Sequence, residues 1–143
     1  MPTAEALGLV EEQIAVLAGQ IRASIRDAAL AVDPNLPPFG LRLLRLLERC
    51  GPTHAGAVAE LLFVDRSAVS RQARQLEDLG LVESRPDASD GRARILALTA
   101  AGVERMRTTG PAGKLRMHRN LSAWPEADLR AFARYLERLT LDE

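Results

Sequence analysis

The stretch from Val64 to Val82, VDRSAVSRQARQLEDLGLV, carries the pattern that decides the fold. Small and apolar residues recur in it at spacings of three and four, which places them in one inward-facing stripe of a helix. These residues are Val69, Ala73, Leu76 and Gly80. Asp65 is a good N-cap at the positive end of the helix dipole, and Gly80 suits the position after the C-terminus. The pattern predicts an amphipathic helix between Asp65 and Gly80.

The opposite face of this helix is polar, and its first two turns carry no acid. It presents Ser67, Ser70, Arg71 and Arg74, with Arg66 and Gln75 on its flanks. Hydroxyl groups can donate to phosphates, and a guanidinium can donate two hydrogen bonds to guanine. The face therefore fits a DNA groove, although an ordinary polar surface explains this helix better when it is taken alone.

The neighbouring segments favour the DNA interpretation. A short helix is predicted from Thr53 or Ala55 to Leu62, with Val58, Leu61 and Leu62 facing inward. A turn of three or four residues joins it to the next helix, which is the layout of a helix-turn-helix.

A β-hairpin is predicted after Gly80, because two short extended runs flank the turn-forming segment PDASDG. Leu96 and Leu98 should face inward near its base. Arg92 and Arg94 lie nearer the tip, where a guanidinium can enter a narrow minor groove. The alternative is that both arginines pair with Asp87 and Asp90.

The charge of the chain gives no signal for nucleic acid by itself, since 19 basic residues balance 19 acidic ones. The segment 65–94 also balances, with six arginines and six acids. DNA binding therefore requires the two signs to lie on different faces.

The first 50 residues are predicted to form two helices. A long helix over residues 4–32 has a heptad seam, which packs either on the core of its own chain or on a partner helix. The seam consists of Leu7, Val10, Ile14, Leu17 and Ile21, and Ala28 continues it. A second helix from Pro37 or Pro38 to Arg49 is so apolar that it should be central.

The C-terminal segment is predicted to be helical with one interruption. Thr99 caps a fifth helix, and Gly110-Pro111 breaks or kinks it. The helix resumes over residues 114–121, and a last helix runs from Pro125, at the first helical position, to about Leu139. Its inward residues are Leu129, Phe132, Leu136 and Leu139.

The order of these elements and the residues from Val64 to Thr99 resemble the MarR family of bacterial transcription regulators. The motifs are D-R-S-x-V-S-R, L-E-x-x-G-L-V and a wing that ends D-x-R-x-x-x-L-x-L-T. The resemblance implies a fold that is mainly α with a small β-wing, in one compact chain. It assigns residues 36–99 to a winged helix-turn-helix lobe, and residues 1–35 and 100–143 to N- and C-terminal dimerisation helices.

Several residue roles follow from the resemblance. Arg71 becomes the leading base-reading residue, with Ser67, Ser70 and Arg74 as its companions and Arg92 as the minor-groove residue. Arg94 is a phosphate candidate on the predicted geometry only. The expected dimer residues are Leu7, Val10, Ile14, Leu17, Leu129, Phe132 and Leu136. A cleft for a small aromatic or lipophilic effector would use Leu17, Ile21, Phe39, Leu43 and Leu46, although core packing explains the same residues.

The chain departs from the family at Phe63, where relatives have glycine in the turn before the recognition helix. A bulky residue resists positive φ. We therefore expect either a turn of different shape or a Phe63 side chain that tucks into the core.

Other function classes find little support in the sequence. It contains no nucleophile motif, no glycine-rich phosphate loop and too few ligands for a zinc site, so we expect no enzyme, metal or cofactor. The single cysteine, Cys50, suits a buried structural thiol in the cytoplasm, and no secretory or membrane segment is expected.

The most consistent function is a homodimeric, sequence-specific DNA-binding regulator. The resemblance favours a repressor that binds a pseudo-palindromic operator and that a small molecule releases. A non-specific architectural DNA binder and a winged-helix protein-interaction module without DNA binding stay open as alternatives.

Overall fold

The computed structural model describes residues 1–109 and 112–141. The elements in chain order are α1 (Ala4–Val32), α2 (Pro38–Cys50), β1 (Thr53–His54), α3 (Ala55–Leu62), α4 (Arg66–Asp78), β2 (Val82–Pro86), β3 (Arg94–Leu98), α5 (Ala100–Thr109), α6 (Ala112–Ser122) and α7 (Glu126–Thr140). The fold is mainly α with a small β-wing, as expected.

The chain divides into two compact units, residues 1–110 and residues 111–143. The first unit, called the lobe below, includes α5 because that helix contacts α1, α2 and β3. The predicted division, which put α5 with the C-terminal dimerisation helices, stays a prediction. The predicted break at Gly110-Pro111 lies outside the described residues.

The long helix α1 begins and ends where its sequence dictates. The Thr3 hydroxyl accepts a hydrogen bond from the Ala6 backbone N–H at 3.1 Å, which satisfies one of the free donors of the first turn. The helix ends at Asp33, since a residue before proline avoids helical backbone angles. Only the last turns reach the core, where Ala29 and Val32 are buried.

Helix α2 forms the centre of the core, as its composition predicted. Four of its leucines are fully buried: Leu43, Leu44, Leu46 and Leu47. They belong to one apolar cluster with Val58 of α3 and with Val69 and Leu76 of α4. Leu61 differs from its prediction, because its side chain is exposed rather than inward.

A three-stranded antiparallel sheet completes the lobe, in the order β1-β3-β2. Its hairpin pairs Val82 with Leu98 and Pro86 with Arg94. The sequence predicted the hairpin but missed β1, whose Thr53 pairs with Leu96. A strand of two residues has no periodicity that a sequence pattern can display.

Helices α3 and α4 end in the same motif, with the same pair of backbone hydrogen bonds. After α3, Val64 N–H donates to Ala59 O at 3.0 Å and Phe63 N–H donates to Glu60 O at 3.3 Å. After α4, Leu81 N–H donates to Leu76 O and Gly80 N–H donates to Glu77 O, at 3.0 and 2.9 Å. This is the Schellman motif, which requires a left-handed residue at its corner.

Gly80 and Phe63 occupy the two left-handed corners, with φ of 74° and 56°. Both expectations for Phe63 were therefore wrong. The turn keeps the left-handed shape that glycine would give it, and the Phe63 side chain is 93% exposed instead of entering the core. The paired backbone hydrogen bonds around α3 impose this conformation on a residue that resists it.

Replacing Phe63 with glycine should raise the free energy of unfolding by about 0.5–1 kcal/mol. Left-handed backbone costs a bulky residue about 1–2 kcal/mol, and the greater freedom of glycine in the unfolded chain offsets about half of that gain. No packing is lost, because the side chain is exposed. Urea unfolding of the two proteins measures the change, and Gly80→Phe should shift stability in the opposite direction.

The residues between β3 and α5 hold three elements together. The Thr99 hydroxyl donates to Gly80 O at 2.6 Å and accepts from Gly102 N–H at 3.0 Å, so it caps α5 as predicted. The Leu81 carbonyl accepts from Thr99 N–H at 3.0 Å. Gly102 is buried against that same carbonyl, so α5 lies in direct contact with the backbone that follows α4.

The second unit contains α6 and α7. Pro125 is the N-cap of α7 rather than its first helical residue, so the helix begins one residue later than predicted. Trp124, before the cap, packs edge-to-face on Phe132 with ring centroids 5.6 Å apart. Among the predicted inward residues of α7, Phe132 and Leu136 are exposed in the single chain, and Leu129 is partly buried.

Candidate nucleic-acid interface

Helix α4 is fixed on its inner side and at both ends. Val69, Ala73 and Leu76 are buried as predicted, and Gln72 joins them at 6% exposure. Gly80, the fourth predicted member, is exposed and forms the left-handed corner instead. Asp65 occupies the N-cap position in extended backbone, but its side chain makes no capping hydrogen bond.

The outer face of α4, defined by Ser67, Ser70, Arg71 and Arg74, is exposed to solvent. Within the described residues, none of these four side chains takes part in a hydrogen bond or an ion pair. Each hydroxyl and guanidinium is therefore available to an external acceptor. The buried inner side holds the helix in place without using these groups.

The two predicted flanking residues behave differently from each other. The Arg66 guanidinium lies over Gly56 of α3, so closely that a β-carbon there would be 2.9 Å from Arg66 Nη2. Arg66 is nevertheless exposed. Gln75 turns towards the lobe: its amide donates to Asn35 O at 3.0 Å and accepts from Gln72 at 2.9 Å. Gln75 thus joins α4 to the segment after α1.

The two wing arginines also differ in their surroundings. Arg94 begins β3, and its guanidinium donates to the Ser84 hydroxyl and carbonyl at 3.0 and 2.9 Å. It braces the hairpin rather than standing free at the tip. Arg92 lies in the connecting turn, where its backbone N–H donates to the Asp90 carboxylate at 3.1 Å. Its side chain has no partner within the described part of the chain.

The alternative pairing of these arginines with Asp87 and Asp90 is not what the structure shows. Asp87 instead contacts His54, with 3.2 Å between Oδ2 and Nε2. It also accepts hydrogen bonds from the Ser89 N–H and hydroxyl, both at 2.9 Å. The Asp87 carboxylate thereby ties the wing turn to the residue that precedes α3.

The surroundings of the Asp87 carboxylate predict a pH dependence of stability. Hydrogen bonds from Ser89, and then the charge of His54, lower the pKa of Asp87 below its ordinary value of 3.8. A lowered pKa in the folded state stabilises the fold above the ordinary value, and this stabilisation is lost as the pH falls through the folded value. The difference in free energy of unfolding between wild type and Asp87→Asn should therefore shrink as the pH falls below about 5.

Acid and urea titrations of both proteins measure this difference. Ser89→Ala should weaken the same dependence, because it removes one of the hydrogen bonds to the carboxylate. If the difference in free energy of unfolding between wild type and Asp87→Asn grew towards low pH, it would contradict a lowered pKa of Asp87 in the folded state.

The charges of segment 65–94 separate in part, although their numbers balance. The Glu83 carboxylate lies 3.6 Å from the Arg85 guanidinium, and the Asp87 carboxylate lies 3.2 Å from the His54 imidazole. Glu77 and Asp78 lie in the last turn of α4. Within the described residues, five of the six arginines in this segment form no ion pair: Arg66, Arg71, Arg74, Arg92 and Arg94. On α4 the arginines precede the acids Glu77 and Asp78, but Asp65 at its N-cap and Asp90 in the wing turn also form no ion pair within the described residues, so the separation of charge is only partial.

A cavity of about 260 Å³ lies between α4 and the hairpin. Its floor is apolar and includes Val69, Ala73 and Leu96, whereas its rim is polar. The rim residues are Ser70, Arg74, Glu77, Ser84 and Arg94. The outer face of α4 and the wing thus border one recess, although they are distant in sequence.

Two apolar stripes are exposed, each on its own unit. In α1, Leu7, Val10, Ile14 and Ile21 are exposed, and Leu17 is partly buried. In α7, Phe132, Leu136 and Leu139 are exposed. The lobe therefore does not cover the heptad seam of its own α1.

The predicted effector-cleft residues fall into two groups. Leu43 and Leu46 are fully buried, so the core packing that the sequence left open accounts for them. Leu17 and Phe39 are partly buried, and Ile21 is exposed. Among the predicted cleft residues, only Leu17, Ile21 and Phe39 are accessible to a ligand.

Other chemistry is sparse within residues 1–109 and 112–141. No cluster of three histidine, cysteine or acidic side chains in this part of the chain could hold a metal ion. Cys50 is exposed at the end of α2, contrary to the expectation of a buried thiol. None of the described helices has both the length and the apolar content needed to span a membrane.

Comparison with known proteins matches this arrangement. The profile of the MarR family matches residues 37–93, from the start of α2 to the wing turn. The uncharacterized HTH-type transcriptional regulator YxaD of Bacillus subtilis is 30% identical over 118 residues, which cover 82% of this chain and 82% of the relative.

Solved structures show a similar fold. RV1404 from Mycobacterium tuberculosis has 22% identity and a TM-score of 0.76, covering 98% of this chain and 96% of that one. A MarR mutant from E. coli, solved in complex with operator DNA, has 16% identity and a TM-score of 0.68, covering 88% and 91%. The family profile and the relative at 30% identity show that this chain belongs to the MarR family of transcription regulators.

Proposed function

We propose that this protein binds duplex DNA in a sequence-specific manner, as a homodimer on a pseudo-palindromic operator, and represses transcription there. The observation that carries the proposal is the outer face of α4, whose hydroxyl and guanidinium groups have no partner within the described residues. A rigid helix with free donors matches the acceptors on base edges and phosphates in a major groove.

The wing supports the same proposal from a second direction. Arg92, whose guanidinium has no partner among the described residues, lies on the turn between β2 and β3 and can enter the adjacent minor groove. The recess between α4 and the hairpin has serine and arginine side chains on its rim. One strand of the DNA backbone can lie along this recess. Helix α4 would then contact the major groove on one side of that strand, and the wing would contact the minor groove on the other side.

Selection of bound duplexes from a random pool tests the function directly. The expected result is an enriched site with two related half-sites about one helical turn apart. Affinity for that site should exceed affinity for random DNA by about 10³-fold or more at fixed salt. Equal affinity for all duplexes would indicate an architectural binder, and absence of salt-dependent binding would indicate a protein-interaction module.

The dimer is supported by the exposed seam of α1. Replacing Ile14 with aspartate should convert the wild-type dimer to a monomer, because it places a charge in a desolvated apolar contact. Ile14 is exposed in the single chain, so the fold itself should persist. Sedimentation measures the change against the chain mass of 15.6 kDa.

Val16→Asp is the matched control for this experiment, since Val16 is also exposed on α1 but lies off the seam. This variant should stay dimeric. A dimeric Ile14→Asp protein would show that the seam is not the interface.

A small aromatic or lipophilic effector would act by favouring a lobe spacing that fits DNA poorly. Leu17, Ile21 and Phe39 are the accessible members of the predicted cleft. Repeating the duplex titration with a panel of small aromatic carboxylates tests this part of the proposal. A shift in affinity that Phe39→Ala removes would support it.

A further inference from the structure

Phe63 combines an unfavourable backbone conformation with an exposed aromatic side chain. Its backbone is left-handed at φ 56°, where glycine is favoured, and its side chain is 93% exposed. Within the part of the chain that the structure describes, packing of the ring does not compensate for the unfavourable backbone. Residues with strained backbone are concentrated at functional sites, which favours a contact between the Phe63 ring and another molecule.

The position of Phe63 places such a contact next to the proposed DNA surface. An open groove of about 690 Å³ lies where α3 meets the start of α4. Phe63 and Arg66 both line it. Arg66 directly precedes Ser67, the first residue of the outer face, so the groove and the outer face adjoin at the start of α4.

The chemistry of the groove indicates which part of DNA it would contact. Small residues form much of its lining: Gly56, Ala59 and Ala68. Glu60 and Asp65 also line it, and two carboxylates disfavour a phosphate there. Thymine methyl groups and deoxyribose carbons are apolar surfaces that an intact duplex exposes to a protein, and an aromatic ring contacts such surfaces well.

We propose that Phe63 is a further DNA-contacting residue, which packs on a thymine methyl group or a deoxyribose at the edge of each half-site. This inference rests on the proposed function. It assigns Phe63 a contribution to affinity that is apolar, in contrast to the hydrogen-bonding residues of the outer face.

Three substitutions at this position separate a DNA contact from a role in the shape of the turn. On the duplex that the wild type selects, Phe63→Gly and Phe63→Asn should each weaken binding about tenfold, the ratio that corresponds to about 1.4 kcal/mol. Phe63→Leu should retain most of the affinity, because it keeps the apolar surface. Glycine and asparagine both accept left-handed backbone, so the turn itself is preserved in both variants.

The salt dependence gives a second readout. Since no phosphate contact is lost, the slope of log affinity against log salt should be the same for wild type and Phe63→Gly. Leu61→Ala is the matched control: Leu61 is an exposed apolar residue of α3 that does not line the groove, and its loss should leave affinity unchanged.

A duplex with uracil in place of thymine distinguishes the two apolar partners. If the effect of Phe63→Gly disappears on this duplex, the ring contacts a thymine methyl group; if it persists, the ring contacts deoxyribose. Wild-type affinity in Phe63→Gly and Phe63→Asn on the thymine duplex would overturn the inference. Failure of the wild type to select any duplex would instead refute the proposed function.

Discussion

Gly102→Ala is expected to lower the free energy of unfolding by about 3 kcal/mol, at the upper end of the usual penalty for overpacking a core. A β-carbon at this position would lie 2.1 Å from the carbonyl oxygen of Leu81. That carbonyl is backbone and is already held by Thr99 N–H at 3.0 Å, so it has no easy direction in which to move. Equilibrium urea unfolding measures the loss.

Gly8→Ala provides the matched control, because Gly8 is also a helical glycine, but no described atom beyond its chain neighbours and its own helix backbone lies within 4 Å of the added carbon. Alanine there should stabilise the protein by about 0.5–1 kcal/mol, the ordinary gain in a helix. The two substitutions therefore have opposite signs. Equal effects would mean that α5 does not approach Leu81 as the structure shows.

Arg71→Ala is expected to weaken binding to the selected duplex by about 5- to 150-fold, or about 1–3 kcal/mol. The reason is its position on the outer face of α4, where an arginine can donate two hydrogen bonds to guanine O6 and N7. Sequence preference should relax at one base pair in each half-site. Titration against duplexes that differ at single base pairs measures both effects.

Arg71→Lys separates base reading from phosphate binding, since lysine keeps the charge but lacks the planar fork. The Arg71→Lys variant should keep the wild-type slope of log affinity against log salt, but it should lose the preference for one base pair in each half-site. Arg107→Ala is a surface control, because Arg107 is exposed and already paired with Glu104 at 2.7 Å. If Arg71→Ala weakened binding to every duplex equally, Arg71 would be a phosphate contact.

The sequence predicted the helices of the lobe closely, because each has an apolar stripe and clear boundary residues. Asp33 marks the end of α1, and Gly80 marks the end of α4. The outer face of α4 followed from the same periodicity, since residues opposite a buried stripe must be exposed.

The features that the sequence missed depend on contacts between distant segments. The bond from Gln75 to Asn35 O spans 40 residues, and the pairing of His54 with Asp87 joins β1 to the wing turn. Local spacing contains no information about either contact. Phe63 was mispredicted for a different reason: the backbone hydrogen bonds that close α3 outweigh the preference of a single residue.

The contacts that hold α4 in the lobe do not involve its outer face, so the residues of that face can be engineered. Its buried side, its two left-handed corners and the Gln75 amide hold the helix without help from Ser67, Ser70, Arg71 or Arg74. Exchanging those four side chains should therefore change stability by no more than about 0.5 kcal/mol each. A combinatorial library randomised at these positions would vary the preferred target while the scaffold stays folded.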